Sequence, residues 1–263
     1  MKTFWPVVWF AFLMVPESHG RGLSVREDLV QVANGQGIAS PSYHGALFGQ
    51  NPAGLVQNQR LKVQGGIASM DDSTANLKAS GAVLAGNGVL GAGVGYSQFD
   101  SGAYASGTGA LQWGAAGTLQ SLSTTLGISG RSVSGGASTY DVGLFFDFIP
   151  RTRIAGVVKD AGNGLHLVGA GVQFMVDSMV DLVIDADYET RLKQGVVKPG
   201  FSLHTERVQF TAAYGFRYVG STDLYLYSRM TAGIGIRIAD SILLQYQYRS
   251  LPQHLVGLTL RLN

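Results

Sequence analysis

The sequence has 263 residues, a formal net charge of +2, 14% charged residues, 37 glycines and no cysteine. The absence of cysteine excludes disulfides and thiolate metal sites, and a small charge without a basic cluster argues against nucleic acid as a partner. Glycine at this level without a collagen-type repeat favours a chain of many short strands.

The first twenty residues have the layout of a secretion signal. Lys2 precedes an apolar run from Phe4 to Val15, and Ser18-His19-Gly20 supplies small residues where signal peptidase needs them. The run is only about a dozen residues long, which is too short for a membrane-spanning helix. We therefore expect residues 1–20 to be a signal peptide that is removed during export.

Residues 21–59 are rich in Gly, Pro and Ser and do not alternate like a strand. Ser24 and Glu27 have capping-box spacing for a short helix that would end at Gly35. Near the end of the segment, Asn51 is placed to cap the turn that Pro52 begins. This composition predicts compact turns before the first strand.

From residue 60 onward the sequence alternates with a period of two. In the stretch 139–148, Tyr140, Val142, Leu144, Phe146 and Phe148 form one wholly apolar face. Most such stretches are about nine or ten residues long, the length with which a tilted strand crosses a membrane. The predicted strands cover 60–69, 76–85, 89–98, 109–118, 122–131, 139–148, 152–159, 165–176, 180–188, 195–204, 207–216, 229–238, 241–249 and 254–262.

The connections between these strands are alternately short and long, as in bacterial outer-membrane barrels. We predict an all-β fold, a transmembrane antiparallel up-and-down β-barrel of 12 to about 14 strands over residues 60–263. Its apolar faces would contact outer-membrane lipid. The alternative is a soluble β-sandwich that buries the same faces.

The inward faces would then carry charges of both signs, mainly in the second half of the barrel. They are Asp141, Asp147, Asp181, Asp185, Asp187, Lys198, Arg237, Arg249 and Arg261. A structural ion-pair network is the first interpretation of such a set, and a selective ion path is the second. The strands from Arg60 to Arg131 contain little charge, and a barrel of this size leaves room for a plug, so we predict that residues 21–59 form a hatch in the lumen.

The motif Asn51-Pro52-Ala53-Gly54-Leu55 lies between the predicted signal peptide and the predicted even-stranded barrel. With this motif in this position, the chain resembles the long-chain fatty acid transporter (FadL) superfamily, including its PorV-type members. The resemblance implies fourteen strands and an N-terminal hatch that carries the Asn-Pro-Ala motif. Its transporters kink the third strand as a lateral exit, a role open to Gly91, Gly93 and Gly95, which alternatively make space for the hatch. The loops of this chain are too short for the substrate capture of its relatives, which argues against fatty acid import as such.

Two functions follow from this reading. The first is a hatch-occluded barrel that passes a small hydrophobic ligand, and the second is a non-transporting barrel that docks a protein partner through the loop Arg217–Ser228. Scattered histidines without metal-ligand spacing and no nucleophile motif argue against an enzyme, a metal site or a cofactor.

Overall fold

In a computed structural model of the protein, one antiparallel sheet closes on itself to form a barrel. The structure describes residues 51–57, 61–70, 76–100, 109–133, 138–159, 161, 167–190, 193–219, 230–249 and 253–262. The predicted signal peptide, and residues 21–50 and 58–59 of the predicted hatch, lie outside these ranges. No helix among the described residues is long and apolar enough to span a membrane.

The wall consists of fifteen strand segments, and a short 3-10 helix, Pro52–Gln57, precedes the first. The strands are β1 Leu61–Met70, β2 Asn76–Gly86, β3 Leu90–Asp100, β4 Gly109–Leu119, β5 Thr124–Val133, β6 Ser138–Ile149, β7 Thr152–Lys159, β8 Leu167–Met175, β9 Val180–Glu189, β10 Gln194–His204, β11 Val208–Tyr214, β12 Phe216–Val219, β13 Met230–Ala239, β14 Ile242–Arg249 and β15 Gln253–Leu262.

β11 and β12 are two parts of one wall strand, because both pair with β10. The barrel therefore has fourteen wall strands, as predicted, and each predicted stretch matches an observed strand to within about two residues, the margin by which assignments of strand ends differ. The sequence did not reveal the interruption at Gly215, nor the 3-10 turn Gln120–Leu122 that delays β5 to Thr124.

Pro199 explains the interruption of the β11–β12 strand. On β10, Gly200 pairs with Ala213 and Val197 pairs with Phe216, so Pro199 lies opposite the junction of the two segments. Proline has no amide hydrogen to donate to a neighbouring strand. The ladder with β10 therefore breaks here, while the ladder between β10 and β9 continues through the Pro199–Ile184 pair.

Short turns lie at one end of the barrel. They connect alternate pairs of strands, and Leu61 of β1 pairs with Leu262 of β15 at the same end. Several of these turns carry local caps: Asn87 Oδ1 accepts hydrogen bonds from Leu90 N at 2.8 Å and Val89 N at 3.0 Å, and Asp177 Oδ1 accepts one from Val180 N at 2.7 Å. We call this end the short-turn end. Most connections at the opposite end are longer, which confirms the predicted alternation of connections.

The outer surface of the wall is apolar and its inner surface is polar. Exposed side chains include Ile184 and Leu182 of β9 and Ile234 of β13, whereas Asp185 and Gln247 are buried. A soluble protein that folds around an apolar core shows the opposite arrangement. The single closed sheet with an apolar exterior confirms the predicted outer-membrane type of barrel, and the soluble sandwich was the wrong alternative.

Aromatic side chains add to the apolar exterior in the half of the wall away from the short turns. Tyr96, Trp113, Tyr140, Tyr214 and Tyr246 are all exposed there. Trp113 meets Tyr140 edge to face with ring centroids 6.2 Å apart, and its indole covers Gly130. Such rings at one level of the wall are typical of the interfacial girdle of membrane barrels.

Candidate functional site in the barrel lumen

The 3-10 helix Pro52–Gln57 lies inside the barrel, against the inner faces of β2 to β6. Its residues Pro52 to Val56 are buried, as is the preceding Asn51. A single 3-10 turn is too short to bury apolar side chains by itself, so these side chains are buried by contact with the wall. This segment is the described part of the predicted hatch.

Two apolar clusters hold the helix against the wall. Ala53 packs in a cluster with Phe145, Ala155, Val157 and Val183, from β6, β7 and β9. The second cluster joins Leu55 and Val56 to residues of β2 and β4, namely Ala82, Leu84 and Ala116. A stripe of apolar side chains therefore interrupts the polar inner face where the helix lies.

Asn51 links the helix to the wall by hydrogen bonds. Its Oδ1 accepts from Ala53 N at 3.0 Å, which confirms the predicted capping role, and the Gly54 amide donates to Asn51 O at 3.1 Å. Its Nδ2 donates to Leu144 O of β6 at 3.2 Å and to Gly156 O of β7 at 3.1 Å. One side chain thus caps the turn and bridges two wall strands.

Small residues on neighbouring strands form a row in which the helix backbone sits. Cross-strand pairing joins Gly91 to Ala116, Ala116 to Gly127, and Gly127 to Gly143. A β-carbon at Gly143 would overlap Asn51 Oδ1; at Gly127 it would overlap the Pro52–Ala53 peptide, and at Gly91 the carbonyl of Leu55. We call Gly91, Ala116, Gly127 and Gly143 the small-residue row, and the helix runs along it from β6 to β3.

Only one glycine of the small-residue row was among the residues predicted from the sequence. Gly91 was singled out, but its partners Gly127 and Gly143 were not, because their alignment depends on the register of separate strands. Gly114 also contacts the helix, since a β-carbon there would lie 2.8 Å from Leu55 Cδ1. The sequence feature that could have revealed the row is a small residue at an inward position of each of four successive strands.

The predicted lateral opening at Gly91, Gly93 and Gly95 has no counterpart in the described sheet. These glycines pair with Gly86, Leu84 and Ala82 of β2, and with Ala116, Gly114 and Gln112 of β4. The ladder has no register shift at these positions. The contact of Gly91 with the helix fits the alternative interpretation, that glycine makes space for the hatch.

The predicted lumen charges occupy different environments. Asp141, Asp181, Asp185 and Asp187 are buried on the inner face, whereas Lys198, Arg237 and Arg261 are half-buried. Asp147 lies near the short-turn end, where Arg153 donates to it through Nε at 2.7 Å and Nη2 at 2.8 Å. The side chain of Arg249 lies outside the part of the structure that is described.

Two hydrogen-bonded groups organise the charges on β8, β9 and β10. Lys198 Nζ forms an ion pair with Asp187 Oδ2. Asp181 Oδ2 accepts from Gln173 Nε2 at 3.1 Å and lies 2.9 Å from His204 Nε2. The carboxylates of Asp181 and Asp187 on β9 therefore contact side chains of the neighbouring strands β8 and β10.

Among the residues whose side chains the structure describes, three buried cations were not predicted as site residues: Lys62, Arg131 and Lys159. Lys62 and Arg131 belong to the half of the barrel that the sequence reading treated as poor in charge. Lys159 follows the Val142–Val158 pair by one residue, which places it opposite Asp141. Their inward parity was available from the alternation, but long basic side chains are also common at the ends of strands near the membrane surface.

Clusters of candidate metal ligands are absent from the described part of the barrel. Among the described residues, no three His, Asp or Glu side chains lie close enough to hold a metal ion. What the inner face offers instead is a bound segment of the chain, an apolar stripe beneath it, and charged or polar walls on either side.

No protein-family model and no curated protein sequence matches this chain. Solved structures do match it. The Ralstonia pickettii toluene transporter TbuX superposes with a TM-score of 0.63 and 10% identity over 93% of this chain and 99% of that chain. A deletion mutant of TodX, described as a monoaromatic hydrocarbon channel, gives a TM-score of 0.57 and 11% identity over 88% of this chain and 98% of that chain. The predicted resemblance to transporter barrels is therefore confirmed for the fold.

Proposed function

We propose that this protein is an outer-membrane conduit for small apolar molecules, held closed by its N-terminal hatch. The observation that carries the proposal is the seat of Asn51–Val56 in the small-residue row, where a β-carbon at any of its three glycines would overlap this segment. Residues 21–50 would complete the closure after removal of residues 1–20. The proposal includes insertion in the bacterial outer membrane with the apolar exterior against lipid.

The apolar stripe supports small apolar molecules as the transported class. When the hatch moves away, Leu84, Phe145 and Val157 lose the packing that Ala53, Leu55 and Val56 provide. The uncovered stripe then offers apolar solutes a favourable surface within a polar lumen. The likeness of the fold to a toluene transporter and to a monoaromatic hydrocarbon channel points in the same direction.

Conductance of the full chain in planar lipid bilayers tests the closure. Asn51→Ala removes the amide that bridges Leu144 O and Gly156 O, and we expect it to open the barrel more often than the unsubstituted chain. The matched control is Asn87→Ala, which removes a similar cap from an exposed turn and should leave conductance unchanged.

Uptake of radiolabelled toluene into vesicles that contain the protein tests the solute class. We expect Asn51→Ala to increase the rate of toluene entry relative to Asn87→Ala. Equal conductance and equal uptake for both variants would contradict the conduit and favour the docking role. Residues 220–228, most of the loop named above for docking, lie outside the described residues.

A further inference from the structure

A row of polar side chains borders the apolar stripe on the side of the short-turn end. On β4, β6, β7 and β9, the inward position next to a residue of the apolar clusters, toward that end, carries a polar side chain. The row continues on β5 and β8. We call it the polar collar, and its members are Thr118, Thr125, Asp147, Arg153, Gln173 and Asp181. A solute that leaves the stripe toward the short-turn end must pass this collar.

Arg153 is the collar residue that covers the stripe. Its guanidinium carbon lies 4.7 Å from the ring centroid of Phe145, in a cation–π contact. Phe145 is only 1% exposed and belongs to the same apolar cluster as Ala53 of the hatch. Arg153 lies one inward position nearer the short-turn end than Ala155, the cross-strand partner of Phe145. Removal of the hatch alone would therefore leave the Phe145 ring covered on the short-turn side.

Asp147 holds the guanidinium in this position. Arg153 donates through Nε at 2.7 Å and through Nη2 at 2.8 Å to the two carboxylate oxygens of Asp147, which is a bidentate geometry. The Arg153 side chain is 11% exposed, but that of Asp147 is 39% exposed. An ion pair with one member open to water is weaker than a buried pair and is sensitive to salt. This pair can therefore break without leaving a charge in an apolar environment.

The other collar side chains are held more firmly. Gln173 and Asp181 are 1% and 2% exposed, and Gln173 Nε2 donates to Asp181 Oδ2 at 3.1 Å. The two threonines have short side chains, and their hydroxyls lie 3.0 Å apart in a hydrogen bond. Arg153 combines a long, flexible side chain with a partner near water. Within the collar, it is the side chain that can move aside most easily.

We propose that Arg153 is a second closure of the conduit, a latch over Phe145 that opens toward the short-turn end. This proposal rests on the proposed function, because it requires that solutes reach the stripe once the hatch moves away. The hatch and the latch act in series. When the pair with Asp147 breaks, the guanidinium leaves the Phe145 ring, and the solute contacts the uncovered ring on its way out.

Uptake of radiolabelled toluene tests the series arrangement. The assay uses whole cells that carry the full chain in their outer membrane, because lipopolysaccharide slows the direct entry of apolar solutes. Asp147→Asn keeps the shape of the side chain and removes its charge. Combined with Asn51→Ala, it should raise the rate of uptake at least threefold above Asn51→Ala alone. Without Asn51→Ala it should change nothing, because the hatch still closes the barrel.

Asp177→Asn is the matched control. It removes a carboxylate from a turn at the same end, where Asp177 Oδ1 accepts from Val180 N at 2.7 Å and makes no contact with the stripe. Combined with Asn51→Ala, it should leave uptake at the level of Asn51→Ala alone. Gel mobility before and after heating confirms that each variant forms a closed barrel.

Hydrogen exchange of the Arg153 Nε–H group reports on the latch without transport. The full chain is labelled with ¹⁵N-arginine in lipid nanodiscs, and Arg153→Lys assigns the signal. High salt should speed this exchange, because it screens the pair with Asp147. Toluene should speed it at least threefold in Asn51→Ala and leave it unchanged in the unsubstituted chain. An Nε–H group that exchanges at the same rate with and without toluene in Asn51→Ala would overturn the latch.

The uptake rates separate failure of the latch from failure of the conduit. Faster uptake in Asn51→Ala, with no further increase from Asp147→Asn, would overturn the latch and keep the conduit. Faster uptake from Asp147→Asn alone would also overturn the series arrangement, since the hatch would then not be the first closure. Equal uptake in Asn51→Ala and in the Asn87→Ala control would overturn the conduit, and the latch with it.

Discussion

Gly143 lies directly against the side-chain oxygen of Asn51, so that even a methyl group at Gly143 would overlap Oδ1. The two residues are more than ninety positions apart in sequence, as the Asn51–Leu144 hydrogen bond shows with its separation of 93. Close backbone approach of this kind requires glycine. The contact thus joins a motif before the barrel to a wall position that no local pattern distinguishes.

Gly127→Ala should unseat the 3-10 helix, because the new β-carbon would overlap the Pro52–Ala53 peptide. The chain has no cysteine, so a single Val56→Cys substitution reports on the seat through its labelling rate with a water-soluble maleimide. Val56 is only 3% exposed, and we expect labelling to be slow with Gly127 and at least tenfold faster with alanine. Gly235→Ala is the matched control, since its nearest contact would be an ordinary 3.6 Å. Equal rates in all three backgrounds would refute the seating role of Gly127.

Asp187→Ala should destabilise the barrel, because it leaves the ammonium of Lys198 without its buried partner. We expect a loss of about 2 kcal/mol, less than the usual 3–5 kcal/mol for breaking a buried pair, because Asp185 still lies opposite Lys198. Urea unfolding in lipid vesicles measures the change. The double variant Asp187→Leu with Lys198→Met should regain most of the stability, and a double variant as unstable as Asp187→Ala would show that the pair itself is not the cause.

Pro199→Ala should join β11 and β12 into one continuous strand, because alanine restores the amide hydrogen missing opposite their junction. Hydrogen–deuterium exchange of the peptide that spans 208–219 measures the effect. We expect slower exchange near Gly215 and unchanged exchange in β9, whose ladder with β10 is already continuous. If exchange near Gly215 stays the same, another cause must be sought for the interruption.

The position of the wall in the membrane predicts a depth-dependent cost for arginine on its outer face. Ile184 lies at the middle of β9 and is 50% exposed, so Ile184→Arg should cost about 2–4 kcal/mol of folding free energy. Ile238→Arg, near the short-turn end of β13, should cost only about 0–1 kcal/mol. Equilibrium folding into phosphatidylcholine vesicles gives both values, and equal costs would contradict this orientation.

The sequence predicted the wall well because alternation is a local property. The stretch 139–148 shows both faces of β6 without any knowledge of its neighbours, and the same holds for most of the other strands. The predicted strand boundaries were wrong where a single residue acts across strands, as Pro199 does on β11, or where a 3-10 turn occupies predicted strand positions, as at Gln120–Leu122.

The candidate site was only partly predictable from the sequence. The motif Asn51–Leu55 was recognisable, and Asn51 caps its turn as expected. Its receiving surface was not, because Gly91, Gly127 and Gly143 come together only through register.

The pairing of β1 with β15 also constrains how the protein is made. Val63 of β1 pairs with Leu260 of β15, so the barrel closes between the two wall strands that are farthest apart in the sequence. Until that last strand emerges, β1 and every partial sheet carry an open edge, which invites pairing between chains. The nascent protein must therefore be kept apart from its copies until the seam closes, and a chain that lacks β15 should accumulate as aggregate rather than as a smaller barrel.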